Sequence, residues 1–227
     1  LHGEVVEVPE RIDRSGSVVE ALDIDSLRDS LHELKANERR VAAVSLLHSY
    51  LNPVHEQALC AFLREEGFSV VTASAEIRPF AKWLPRAESA VVEAYLDPVL
   101  RNYLNNVSGD LGGGSLQVMT SAGGLVSKES YRSIDSLLSG PAGGVVGAAS
   151  VARRAGLEKV IALDMGGTSA DVSRFDGDFD YHDRHEVGSA LVSAPSLKIE
   201  TVAAGGGSVC RLDGDLLAVG PESAGAH

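Results

Sequence analysis

Positive charge is scarce in this sequence: 20 Lys and Arg stand against 32 Asp and Glu among 227 residues, a formal net charge of −12. A chain without a basic face has little to neutralise a phosphodiester backbone, which argues against nucleic acid as a partner. Cysteine is nearly absent. Cys60 and Cys210 lie far apart, with no second Cys or His at ligand spacing, which argues against a disulfide framework or a structural zinc site and fits a reducing cytoplasm. No apolar run reaches membrane-spanning length, and Leu1-His2-Gly3-Glu4 has neither the basic nor the apolar region of a signal peptide. A starting Met is also lacking, Val5-Val6-Glu7-Val8 reads directly as a strand, and the turn-rich stretch from Pro221 to His227 closes no element. The sequence therefore reads as an interior part of a longer polypeptide.

What is present is apolar material in alternation. At 44% hydrophobic the chain can bury a sizeable core. Asp25 stands before Leu27, Leu31 and Leu34 at helical spacing, and the apolar run Val41 to Leu47 reads as a buried strand. Asn52 and Pro53 supply an N-cap and a first helical proline, Val54, Ala58, Leu59, Phe62 and Leu63 make an apolar face, and Gly67 ends that helix before a strand from Phe68 to Thr72. Helix and strand in alternation imply mixed α/β architecture, with parallel or mixed sheets flanked by helices. From Arg86 to Tyr103 a long helical pattern contains Pro98, which predicts a kink or a break. The glycine-rich stretch from Val107 to Gly114 then sets a domain boundary near 105–115, giving lobes 1–108 and 109–227. In the second lobe a helix rich in small residues begins at Ser139-Gly140-Pro141 and stops at Gly156. The buried strand Val160 to Asp164 leads into a tight turn and a returning strand from Ala170 to Phe175.

The segment that carries chemistry is Asp164-Met165-Gly166-Gly167-Thr168-Ser169-Ala170-Asp171. Glycine at 166 and 167 permits positive φ and lets amides approach phosphate oxygens, while Thr168 and Ser169 add hydroxyls. Asp164, at a strand end, is the candidate Mg²⁺ carboxylate, and Asp171 on the return strand can orient water or serve as a second ligand. Asp-X-Gly-Gly at a hairpin is also ordinary turn chemistry. A second run, Gly205-Gly206-Gly207, follows the strand-like segment Ile199 to Val202; it reads either as bare backbone against a nucleotide or as a flexible loop. For Ser139 to Gly144, anion attraction by a helix N-terminus and close helix packing account equally for the glycines.

Several motifs together, Met119 to Leu125, Leu137 to Gly147, Asp164 to Ser173, Thr201 to Ser208 and Val219 to Gly225, resemble the A component of the hydantoinase/5-oxoprolinase family, in matching order and spacing. The resemblance covers most of residues 76–227, and residues 1–75 more loosely. It implies partial lobes of a ribonuclease-H-like, actin-like ATPase fold. It also implies ATP and Mg²⁺ as cofactors, Asp164 and Asp171 as catalytic residues, and Gly166, Gly167, Thr168, Ser169, Gly205, Gly206 and Gly207 around the nucleotide. The implied reaction is ATP-driven opening of a cyclic amide, 5-oxoproline or a hydantoin, beside a B-type component or domain, with homo-oligomers left open. The family's first Asp-X-Gly-Gly-Thr hairpin is not in this sequence, so the resemblance implies half of the ATP cleft and no turnover by this stretch alone. The forms Thr201 to Gly207 and Asp171 to Phe175 lean toward oxoprolinases. An ATP-binding subunit of an acetone- or acetophenone-carboxylase-type enzyme is the near alternative, and a non-catalytic binding module the distant one.

Other features have plainer readings. His182, Asp183, His185 and Glu186 invite a metal, but alternation along one strand splits them between its faces. Cys60 reads as packing, Cys210 as a strand residue without a base, and Trp83 as an anchor at the lobe junction.

Overall fold

The computed structural model describes residues 3–28, 31, 41–112, 114–187 and 190–225. The chain forms two compact units, one of Leu1–Leu116, Arg132–Ile134 and Arg184–Ala194, the other of Gln117–Tyr131, Asp135–Asp183 and Pro195–His227.

In the first unit, strands β1 (Val41–Val44) and β2 (Val70–Ala73) run parallel, with Val41 opposite Val70 and Val44 opposite Ala73. Parallel neighbours need a crossover, and helix α1 (Val54–Glu65) supplies it. It ends where Gly67 takes φ +91 and the Phe68 amide donates to the Leu63 carbonyl at 3.0 Å. The buried face of α1 differs from the one its apolar residues predict. His55, Glu56, Leu59, Cys60, Phe62 and Leu63 are buried, whereas Val54 is 45% exposed and Ala58 lies at the surface. The cause is Glu56, whose carboxylate accepts from the Leu46 amide (2.8 Å), the Ala75 amide (2.9 Å) and the Ser74 hydroxyl (2.6 Å) and so turns a charged position inward. Asn52 precedes the cap, its Oδ1 accepting the Val54 amide at 3.2 Å. The core around this helix gathers Leu27, Leu31, Val44, Leu59, Phe62, Leu63 and Phe68.

Other expectations are corrected here. Around Leu27 a 3₁₀ turn (Asp25–Leu27), held by Asp23 Oδ1 accepting the Ser26 amide, leads into helical residues at Arg28 and Leu31, as the leucine spacing predicts; Leu34 lies outside the described residues. Val5 to Val8 pair with no strand, and the ladder after Val41 stops at Val44. Helix α2 (Trp83–Asp110) runs unbroken for 28 residues through Pro98, and Val107 to Asp110, predicted as loop, form its last turn. Its buried acids explain the continuity. Glu93 accepts the amides of Ser133 and Ile134, and Asp97 is gripped by Arg101 and by the Ser133 hydroxyl, fixing the turns on which Pro98 sits. Trp83 stands half exposed at the start of α2, its ring N–H donating to the Ser45 carbonyl within the first unit.

In the second unit a short hairpin, β3 (Gln117–Met119) and β4 (Leu125–Ser127), precedes helix α3 (Ser139–Arg154), which Gly156 ends at φ +74. An antiparallel sheet follows, in the order β7-β6-β5, from β5 (Lys159–Met165), β6 (Ala170–Asp176) and β7 (Glu200–Val202). Helix α3 covers one face of β5 and β6 with Ala142, Val145, Ala149 and Ala152. Among the described residues the other face of β5 is bare: Ile161, Leu163 and Met165 are 78%, 67% and 59% exposed, so the predicted buried strand is half-buried on its α3 side, at Val160 and Ala162, and open on the other. A final hairpin, β8 (Ser208–Asp213) and β9 (Leu216–Ser223), turns at Gly214. His182 and His185 do not share a strand; they pair with Ser196 and Val192 in separate ladders.

Candidate active site

The register of the second sheet decides which side chains meet. Asp164 on β5 lies directly opposite Asp171 on β6, and Asp171 lies directly opposite Thr201 on β7. Cross-strand partners share a face, so Asp164, Asp171 and Thr201 form one row across three strands. That face is the one α3 covers. A cavity of about 200 Å³ lies there, lined by Asp164, Asp171, Ser173 and Ala162 from the sheet and by Pro141 and Gly144 from the first turns of α3. Two carboxylates directly opposed across a ladder repel each other. Asp171 Oδ1 accepts the Thr201 hydroxyl at 2.6 Å, and neither acid has an ion-pair partner among the described residues.

Beyond this row the β5–β6 hairpin turns through Gly167 and Thr168. The Gly166 amide donates to the Ser169 carbonyl at 2.9 Å, while the Gly166 carbonyl, which would close the turn, instead accepts the Gly206 amide at 2.9 Å. Gly167 and Thr168 keep amide hydrogens without an acceptor among the described residues. The expectation of positive φ at 166 and 167 is overturned: neither is in the left-handed region, and a Cβ at Gly167 would meet nothing within 4 Å. Protein packing therefore does not require a glycine at the tip, whereas close approach of an outside oxygen to its amides does.

Gly205 to Gly207 lie against this tip, and their amides are engaged internally. Gly205 donates to Ser208 Oγ (2.8 Å), Gly206 to the Gly166 carbonyl and Gly207 to the Gly167 carbonyl (2.7 Å). Here glycine is sterically required, since a Cβ on Gly205 would stand 2.6 Å from the Gly166 carbonyl oxygen and 2.7 Å from the Thr168 nitrogen. Next to this loop the Ala224 amide donates to the Gly207 carbonyl (2.7 Å). Three glycine-bearing segments of the sequence thus stack side by side. In α3, by contrast, a Cβ on Gly140, Gly143 or Gly147 would meet nothing within 4 Å among the described residues, and one on Gly144 would stand 3.7 Å from Asp164 Oδ2, an ordinary contact.

Residues 86–227 match the family described as Hydantoinase/oxoprolinase, and residues 1–67 match its N-terminal region. The chain belongs to the hydantoinase/oxoprolinase family. A 5-oxoprolinase, PfmaA of Pestalotiopsis fici, is 42% identical over 99% of this chain, which spans 17% of that relative. Among solved structures, the ATP-dependent caprolactamase from Pseudomonas jessenii superposes with a TM-score of 0.82 at 29% identity, over 96% of this chain and 33% of that one. Nucleotide-free acetone carboxylase superposes with a TM-score of 0.81 at 32% identity, over 96% and 32%. This stretch of the hydantoinase/oxoprolinase chain is therefore a minor part of each relative's length.

Asp164 and Asp171 are the residues that could hold Mg²⁺, an ion that takes one or two carboxylates and completes its shell with waters and phosphate oxygens. Among the described residues no group of three or more His, Cys, Asp and Glu forms a closed cage. A larger hollow of about 380 Å³ lies where Arg153, Glu158, Phe175 and Asp176 meet, at the end of the sheet away from the tip. Arg153 stacks there over Phe175, 4.7 Å from the ring centre, and of the two acids that line the hollow Asp176 is already paired with Lys159 at 3.2 Å. The Cys60 thiol is pushed up to about 12, first by burial, which keeps it from acting as a nucleophile. Sequence reasoning missed Thr201 as a partner of Asp171. Only the strand register brings the two together, and a threonine in a strand is too common to stand out.

Proposed function

We propose that this chain supplies a phosphate-binding part of an ATP-dependent enzyme that opens a cyclic amide, 5-oxoproline or a hydantoin. The observation that carries this reading is the alignment of Asp164 and Asp171 in a cavity next to a turn whose Gly167 and Thr168 amides are open. In it, Gly166 to Ser169 cradle phosphate oxygens, Asp164 with Asp171 holds Mg²⁺, and Gly205 to Gly207 border the nucleotide site as a brace. Bound Mg²⁺ would neutralise charge on the transferring phosphoryl group. The chain's own part is to orient the phosphates and keep two carboxylates directed at them. A five-membered lactam resists water; phosphorylated at its amide oxygen by ATP, with ADP released, it becomes an electrophile whose ring carbon water attacks, the ring C–N bond then breaks to the free amine, and hydrolysis of the resulting acyl phosphate releases carboxylate and phosphate. An antiparallel sheet bearing Asp-X-Gly-Gly-Thr at its first hairpin, with a helix on one face, supports ribonuclease-H-like lobes. The free thiols of Cys60 and Cys210 support a reducing, cytoplasmic setting. Carboxylase relatives keep a second reading open, in which the same clamp serves an ATP-binding subunit beside a B-type partner.

The test is calorimetric titration of the complete protein with Mg-ATP, comparing Asp164→Ala and Gly167→Val with the parent. Because a Cβ at Gly167 meets nothing within 4 Å among the described residues, a side chain there starts into open space, and valine is the variant that obstructs a ligand at the tip. Loss of at least tenfold in affinity for both variants is expected, on the order of 1.4 kcal/mol or more. Unchanged binding in both would make the hairpin an ordinary turn.

A further inference from the structure

We infer that Thr201 is the positioning residue of this acid pair, holding Asp171 by one oxygen so that the other is presented to the cation. The inference rests on the Mg²⁺–phosphate reading above and gives a role to Thr201, which the sequence offers only as the first residue of the stretch Thr201 to Ser208. Its basis is geometric. The Thr201 hydroxyl donates to Asp171 Oδ1 at 2.6 Å, while Asp171 Oδ2 has no hydrogen-bond or ion-pair partner among the described residues. Thr201 is opposite Asp171 in the ladder, on the side away from Asp164, so the contact pulls one carboxylate oxygen aside and leaves the other in the row with its like-charged neighbour. A β-branched side chain in a strand has few rotamers, which makes threonine a stiffer holder than serine.

The same strand continues into Gly205 to Gly207, whose Gly206 and Gly207 amides grip the Gly166 and Gly167 carbonyls. Strand β7 and its loop therefore set two things together, the rotamer of Asp171 and the height of the hairpin tip. Groups that orient a metal-binding carboxylate from behind change metal affinity by about 10- to 100-fold when removed.

The experiment uses the complete protein, titrated with Mg²⁺ in the presence of a non-hydrolysable ATP analogue, with analogue binding as the readout. Thr201→Val, which removes the hydroxyl and keeps the strand-forming shape, should raise the Mg²⁺ concentration for half-saturation by about tenfold or more. Thr201→Ser should restore it to within about twofold, since it keeps the donor that acts on the carboxylate. If Thr201→Val does not fold, Thr201→Ala asks the same question without added bulk. A hydroxyl-free variant that needs no more Mg²⁺ than the parent overturns the inference, as does a serine variant as impaired as the valine one. Asp164→Ala separates this failure from that of the underlying reading. If it too leaves Mg²⁺-dependent binding intact, the site itself is wrongly assigned; if it abolishes binding while Thr201→Val does not, only the role of Thr201 falls.

Discussion

Glu56 and Arg86 carry opposite charges into the interior of the first unit, each with no solvent exposure. They are joined through Ser74, whose hydroxyl donates to Glu56 Oε1 and accepts from Arg86 Nε at 2.9 Å. The guanidinium also donates to the carbonyls of Leu46, Leu47 and Phe80, so one side chain closes the loop after β1 and the start of α2. Burial is the largest influence on Arg86 and lowers its pKa, while the nearby Glu56 charge acts the other way. Glu56→Ala leaves this cation without its counter-charge and the Leu46 and Ala75 amides without an acceptor. The expected cost is about 3–5 kcal/mol, read as a lower urea midpoint with an unchanged slope. A loss under about 1 kcal/mol would show that water replaces the carboxylate. Nothing local in the sequence identifies this network. A helix pattern assigns charged residues to the wet face, and Glu56 is inside because of Leu46, Ser74 and Ala75, which are remote or outside its helix.

At the level of elements, the turns were the most legible part. Gly67 and Gly156 each stand at a helix end with positive φ, a backbone need that a single residue type announces. Helix α2 was less legible, because the rule that proline interrupts a helix weighs one lost hydrogen bond, and the tertiary hold of Glu93 and Asp97 in the turn before Pro98 is invisible locally. The glycine loops were found but not distinguished. Gly166-Gly167 and Gly205-Gly206-Gly207 look alike as sequence, yet one is open and the other is wedged against the first. Alanine separates them. Gly205→Ala must push against the Gly166 carbonyl and the Thr168 amide, backbone groups that cannot swing aside, and should cost about 1–3 kcal/mol. Gly167→Ala should leave stability within about 0.5 kcal/mol, as for a substitution into open space. Thermal unfolding of the two variants decides the matter; equal losses would mean that the loops are not stitched as described.

Across the whole chain, the distribution of exposed apolar side chains is uneven in a way that composition does not reveal. The 44% hydrophobic content reads as ample core material, and the run from Val160 to Asp164 reads as a buried strand. A strand has two faces, however, and among the described residues α3 covers one face of β5 and nothing covers the other. The uncovered face presents Ile161, Leu163 and Met165, with Val202 in register across Ala170, and β5 is also an edge of its sheet. An edge strand with a bare apolar face is a template for another copy, and the net charge of −12 opposes that only at long range, where salt screens it. The 227-residue chain should therefore self-associate as its concentration rises, more strongly at high salt. Leu163→Lys places a charge at the center of that face without disturbing a packed contact, because Leu163 is 67% exposed. It should return the chain to a single monomeric boundary in sedimentation velocity while leaving its thermal midpoint within about 2 °C of the parent, as expected for a surface substitution. Association that persists unchanged in Leu163→Lys would move the contact elsewhere, and the β8–β9 hairpin, with Leu212, Leu216 and Leu217 at 76%, 76% and 68% exposure, is the next surface to charge.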